Sequence, residues 1–171
     1  PGMLYATART NPRLGGAVKG YDASAAEGMA GVVKVVPVDG GAAVIARTTW
    51  QAMQAAGAIA FDWGDAPYPA TSAELGAVLA ASFTEERRDS VNRDDGDVDG
   101  ALVGEVFEAA YSVPYLAHAT MEPMTAAALL KDGALTVWAG HQLPTQILAE
   151  GAALTGLTPE AVTVHTLWMG G

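Results

Sequence analysis

At 171 residues, 50% of them hydrophobic and 16% charged, the sequence carries enough apolar material for one sizeable core or two small ones, which excludes disorder for most of it. Nine lysines and arginines against 19 aspartates and glutamates give a formal net charge of −10, a surface that repels phosphodiester backbones and anionic lipid headgroups, so neither nucleic acid nor a membrane surface is an expected partner. With no cysteine, disulfides, thiol catalysis and iron–sulfur ligation are excluded from this stretch, and any redox chemistry must come from a bound cofactor or another chain.

The start at Pro1 without an initiator methionine and the end on Gly170-Gly171 after a β-type run predict a piece of a longer polypeptide. The residues from Met3 to Thr10 favour a strand, ended by Asn11-Pro12 and Gly15-Gly16. A short helix follows, with Asp22 or Ser24 as N-cap, Glu27 completing a capping box with Ser24, and the 28–31 region as its stop. The β-branched run from Val32 to Val38, the Asp39-Gly40-Gly41 turn and the segment from Ala42 to Ala46 predict a hairpin. Thr48 or Thr49 caps a helix that carries Trp50, Met53 and Ala56 on to Ile59, a spacing that puts one large face inward. The apolar stretch from Ala55 to Phe61 stops at Asp62, well short of the roughly 18 residues of a membrane span, so no direct membrane insertion is expected.

Two prolines between Asp65 and Thr71 mark a linker, and Thr71 with Glu74 forms a capping box ahead of a helix through Leu75, Val78 and Leu79. From Thr84 to Gly100 the chain is polar and charged, an exposed connection. Strands are predicted for Val103 to Tyr111, Leu116 to Met121, Met124 to Leu130 and, after the Lys131-Asp132-Gly133 turn, Leu135 to Ala139. Pro144 opens a helix ended by Gly156, and Thr158-Pro159-Glu160 makes a tight turn into a last strand from Val162 to Leu167.

Several patterns bear on chemistry. The run from Asp95 to Gly100 opens like a calcium loop, but the twelfth position falls on Val106, where a bidentate glutamate is needed, so an acidic surface turn is expected. His118 and Glu122 lie four apart and, with His141 and His165, suggest a metallohydrolase set. H-E-x-x-H needs both histidines on one helical face, and this segment reads as extended with Pro123 following, so a buried His–Glu pair ordering a turn fits better. No serine sits in a nucleophile elbow, and no phosphate loop is present. Gln142 stands at the end of a strand just before a helix, where its amide either donates to an oxygen-bearing ligand or, like Gln146, caps the helix. Gly170 and Gly171 either let the backbone approach a cofactor or form a hairpin turn.

Taken in order, the run from Tyr111 to Met124 with His118, Glu122 and Pro123, the run from Val137 to Pro144 around Gln142, the run from Leu154 to Val162, and Met169-Gly170-Gly171 resemble the large subunit of molybdenum hydroxylases, the xanthine dehydrogenase and aldehyde oxidase family. The likeness is strongest to isoquinoline 1-oxidoreductase beta-type subunits. Pro1 to Ala6, Gly31 to Val36 and Val44 to Met53 look like that subunit's α/β-hammerhead domain. The resemblance implies an α+β fold with a hammerhead-like portion over 1–65, a linker with a short helix over 66–100, and the first part of a molybdopterin-binding domain over 101–171. It implies that Gln142 donates to the apical oxo group of molybdenum, that Gly170 and Gly171 belong to a loop closing on the cofactor, and that His118 and Glu122 form a structural turn. His141 stands where threonine is frequent. No catalytic residue and no metal ligand falls in this stretch, the family's base lying further downstream.

The resemblance further implies a molybdenum–molybdopterin cofactor, in its cytosine dinucleotide form, that hydroxylates nitrogen heteroaromatics or oxidises aldehydes with water as oxygen source. The implied partners are the remainder of the large subunit, a small subunit with two [2Fe-2S] clusters, and the small-molecule substrate. This stretch alone is expected to be inactive and to retain no cofactor, and the bacterial cytoplasm and periplasm both stay open. The competing reading is a non-enzymatic calcium-binding or scaffold α+β module.

Overall fold

The computed structural model describes residues 2–170. The backbone divides into two compact units, Pro1–Ala110 and Tyr111–Gly171, each with its own apolar core. Helices and strands share both units, the α+β class expected from the sequence.

In the first unit, β4 (Gly41–Ala46) lies between β1 (Tyr5–Thr10) and β3 (Val32–Val38), antiparallel to both. The small side chains of β4 are buried along almost its whole length, as a central strand with cover on both faces requires. The β3–β4 hairpin turns at Asp39-Gly40, where Gly40 takes the left-handed backbone (φ 69) that an Asp-Gly pair supplies. Helix α2 (Thr49–Ala58) packs on β1 and β4 through Ala52, Ala55 and Ala56, whereas Trp50 and Met53, expected to face inward, are exposed because the small face is the one that fits against the sheet. These alanines let the helix approach closely, and with Ala26, Val44 and Ile59 they form the core. The Thr48 hydroxyl accepts the Gln51 N–H at 3.2 Å as the N-cap of α2. At the other end Arg9 donates to the Ala56 carbonyl at 3.1 Å and lies 5.3 Å above the Phe61 ring.

Two strands here were not foreseen, β2 (Val18–Asp22) and β5 (Ala60–Trp63), which pair antiparallel. The signal for β5 is its alternation: Phe61 and Trp63 stack with ring centroids 4.1 Å apart on one side of the strand while Asp62 faces away. The predicted first helix is a single turn, α1 (Ser24–Glu27), and its N-cap is Ala23 with no side-chain cap. Asp22 instead accepts the Ser24 N–H at 2.9 Å, so the predicted capping box does not form. A polar residue two positions earlier makes that bond just as well.

Helix α3 (Ser72–Ala80) has the complete capping box of Thr71 and Glu74. No residue of α3 is buried, so local terms hold it. Replacing Thr71 by Ala is expected to remove about 1 kcal/mol of helix stability, seen as faster amide exchange over residues 72–78 with β4 unchanged.

The strands predicted for Val103 to Tyr111 and Leu116 to Met121 are absent. After the short helix α4 (Val98–Ala101), residues 102–125 carry neither strand nor helix, and Phe107, Tyr111, Val113 and Leu116 are exposed. Alternating apolar residues give a capacity for pairing, which needs a neighbouring strand; among the described residues none pairs with this segment. Pro114 and Pro123 also remove two ladder donors.

The second unit is a three-stranded sheet in the order β6 (Ala126–Lys131), β7 (Ala134–Ala139), β8 (Val162–Thr166). β6 and β7 form a hairpin through Asp132 (φ 51) and Gly133 (φ 76), two left-handed residues in the manner of a type I′ turn. β7 and β8 run parallel, joined by helix α5 (Pro144–Thr155), with Pro144 in its first turn and Gly156 (φ 68) ending it. Leu135 and Val137 on β7 with Val162 and Val164 on β8 bury against Leu148 and Ala152 of α5.

Candidate functional site

The register of the second sheet decides which connections meet. Ala126, the first residue of β6, pairs with Ala139, the last of β7, and Ala139 pairs with Thr166, the last of β8. The chain therefore enters β6, leaves β7 and leaves β8 at one end of the sheet. The segments 118–125, 140–146 and 167–170 converge there, at the carboxyl ends of the two parallel strands, where sheets of this kind open a crevice. The Leu167 N–H donates to the Ala139 carbonyl at 2.9 Å, extending the parallel ladder by one residue. A Cβ on Gly140 would stand 2.9 Å from Met169 Cγ and 3.4 Å from the Trp168 carbonyl, so the bare backbone at 140 is what lets 168–170 run alongside.

These segments enclose a cleft of about 1070 Å³ whose walls include His118, Glu122, Gln142, Gln146, Glu150 and Gly170. Gln142 and Gly170, assigned to one ligand from the sequence, thus face one space. Gly171 lies outside the described residues. The helix-cap alternative fails for both glutamines: the N-cap of α5 is Leu143, with no side-chain bond. His141, half-buried in the same wall, has Nε2 3.5 Å from the Thr166 hydroxyl, while its Nδ1 is buried without a partner among the described residues. Sequence reasoning passed over Glu150 and gave Gln146 only a capping role. Their four-residue spacing on one face of α5, ahead of Leu154, was the available signal.

His118 and Glu122 do not form the buried pair expected of them. Both are exposed, because the segment that carries them joins no sheet. Glu122 instead accepts the main-chain N–H of Gly170, and the Thr120 hydroxyl donates to the Glu122 carbonyl at 2.9 Å.

The acidic run divides its carboxylates among separate tasks. Asp95 accepts from Arg93, with Nη2 at 2.7 Å, and this guanidinium holds its carboxyl below the usual range. Asp97 caps α4 by accepting the Gly100 N–H at 2.8 Å. Among the described residues no three acidic or histidine side chains converge as a metal-ligand set, either here or around His118, Glu122 and His141. The calcium-module and zinc-hydrolase readings lose their ligand geometry accordingly.

Residues 83–171 match the family described as the molybdopterin cofactor-binding domain. The chain is 28% identical to the beta subunit of isoquinoline 1-oxidoreductase from Brevundimonas diminuta, an alignment covering 100% of this chain and 23% of that protein. It is 30% identical to a nicotinate dehydrogenase subunit from Pseudomonas putida, over 88% of this chain and 13% of that protein. Among solved structures it shares the fold of the aldehyde oxidoreductase from Desulfovibrio gigas with a TM-score of 0.72 at 21% identity, covering 99% of this chain and 24% of that one. The chain thus spans less than a quarter of the length of each of these relatives.

Proposed function

We propose, from the premise that this chain belongs to the molybdopterin cofactor-binding domain family, that it is a portion of the large catalytic subunit of a molybdenum hydroxylase. The observation that carries the reading is the presence of Gln142 and Gly170 on the walls of one cleft at the carboxyl end of two parallel strands. In this reading residues 1–65 are a hammerhead-like portion, 66–100 a linker, and 101–171 the beginning of the cofactor domain.

The chemistry of the cleft fits the metal end of such a cofactor. Gln142 and Gln146 offer neutral amide donors, His118 and His141 offer imidazoles, and the unpartnered Nδ1 of His141 lies in the same wall. None of the described residues lining the cleft is lysine or arginine, and Glu122 and Glu150 add negative charge. This donor set would suit a neutral or weakly charged acceptor on the group, whereas a phosphate would need cations from elsewhere in the large subunit. When bound, the molybdenum–molybdopterin group accepts the two electrons released by the substrate. Gln142 would hold and orient the group through its side-chain amide, a neutral donor on the cleft wall. Gly170 contributes room, since its own N–H is already committed to Glu122.

The substrate class follows the named relatives: a nitrogen heteroaromatic or an aldehyde, with water as the oxygen source. A small [2Fe-2S] subunit is the partner that would take up the electrons, a role this cysteine-free chain does not fill itself. The cofactor is read as its cytosine dinucleotide form, so acid hydrolysis of the parent enzyme should release cytidine monophosphate equal to its molybdenum; adenosine or guanosine monophosphate in its place refutes that form. In the parent enzyme, Gln142→Ala is expected to slow turnover roughly 10-fold, the loss of one hydrogen bond to the bound group. The Mo(V) electron paramagnetic resonance spectrum should shift while more than half of the metal is retained. A variant with unaltered turnover and spectrum would remove Gln142 from the site.

A further inference from the structure

Beyond Thr166 the last segment leaves the sheet with few holds. Leu167 keeps one ladder bond to Ala139, and Met169 packs on Gly140. A further hold comes from a distant part of the sequence: the carboxylate of Glu122, which accepts the Gly170 main-chain N–H. A charge-assisted bond to a backbone donor is among the stronger polar contacts available. Glu122 is itself well placed to make it. Its carbonyl receives the Thr120 hydroxyl at 2.9 Å, and Pro123 immediately after it restricts its backbone.

The fit is mutual. A Cβ on Gly170 would stand 2.7 Å from Glu122 Oε2 and 2.9 Å from Glu122 Cβ, so any side chain at 170 pushes this contact apart. We infer that Glu122 is a positioning residue of the cleft: its carboxylate clamps the Gly170 main chain and so sets how closely the glycine segment closes beside Gln142. The effect on the cofactor rests on the reading of the cleft given above; the clamp itself does not. An amide carbonyl keeps an acceptor in the same place, weaker than the carboxylate but still able to hold the Gly170 N–H, so Gln retains most of the clamp and Ala loses it.

The test uses the parent large subunit, purified with and without cofactor, in four forms: unmodified, Glu122→Ala, Glu122→Gln and Gly170→Ala. In the cofactor-free protein, hydrogen-exchange mass spectrometry over residues 165–170 should show exchange about 10-fold faster in Glu122→Ala and in Gly170→Ala, and within about threefold of the unmodified protein in Glu122→Gln. In the loaded enzyme the Mo(V) spectrum should shift in Glu122→Ala and return in Glu122→Gln, a rescue that general loss of stability does not produce. Unchanged protection in Glu122→Ala, or a Glu122→Gln protein as labile as Glu122→Ala, overturns the clamp. Should the exchange results hold while Gln142→Ala leaves the Mo(V) spectrum untouched, the clamp stands and the cofactor reading of the cleft falls. The opposite combination removes the clamp alone.

Discussion

Gly41→Ala is expected to destabilise the first unit by about 3 kcal/mol or more. The added Cβ would overlap the Arg9 carbonyl oxygen and stand 2.8 Å from its carbon and 2.9 Å from Thr10 Cα, all of them main chain in the neighbouring strand. A flexible side chain can rotate away from such a clash, whereas here β1 must move off β4 at the end where Thr10 pairs with Gly41. Arg9 would move with β1 and lose its 3.1 Å bond to the end of α2. The same substitution at Gly57, inside α2 with no atom within 4 Å of its added Cβ, should stabilise by up to about 1 kcal/mol through helix propensity. Opposite signs for one chemical change identify close approach as the cause. Amide exchange resolved by residue is the measurement, since two separate cores make a single unfolding midpoint ambiguous. Protection of β1, β3 and β4 should fall in Gly41→Ala while that of β7 is kept, and equal stability in the two variants would refute the argument.

How far the sequence reveals this molecule depends on where the information sits. Capping and turn chemistry is local, and it was legible: the Thr71–Glu74 box, the Asp39-Gly40 and Asp132-Gly133 turns, and the Pro144 start and Gly156 end of α5 are all present. Strand pattern is only half local. Val32 to Val38 finds its partner directly across the Asp39-Gly40 turn, whereas Val103 to Tyr111 has the alternation and no partner among the described residues. β2 and β5 failed in the other direction, being short, interrupted by Gly20 and Asp62, and paired across a long stretch of intervening chain. The cleft follows the same division. Gln142 and Gly170 could be linked only through the family resemblance; the parallel pairing of β7 and β8 that releases both chains at one end is a feature of the structure. That Glu122 arrives there too depends on Ala126 pairing with Ala139, a register that no spacing in the sequence announces.

The same dependence of the cleft on sheet packing makes Gly151 the most informative position in the second unit. It is buried in the middle of α5, where glycine costs about 1 kcal/mol relative to alanine, so its presence needs a packing reason. That reason is Leu135: a Cβ on Gly151 would stand 2.9 Å from Leu135 Cδ2 and 3.5 Å from Val162 Cγ1, the two buried residues on which α5 rests. For Gly151→Ala the contact is with the far end of a flexible side chain, and the gain in helix propensity offsets it, giving a net change near zero. Gly151→Val adds two further methyl groups and a stiff branched side chain to the same contact, with an expected loss of about 3 kcal/mol as α5 lifts from β7 and β8. Because α5 carries Gln146 and Glu150 to the cleft, its tilt should also cost the parent enzyme bound molybdenum, in contrast to Gly41→Ala, which leaves this sheet alone. Metal analysis of Gly151→Ala and Gly151→Val proteins purified in parallel separates the two outcomes: full occupancy in Gly151→Val would show that the cleft does not depend on how α5 seats.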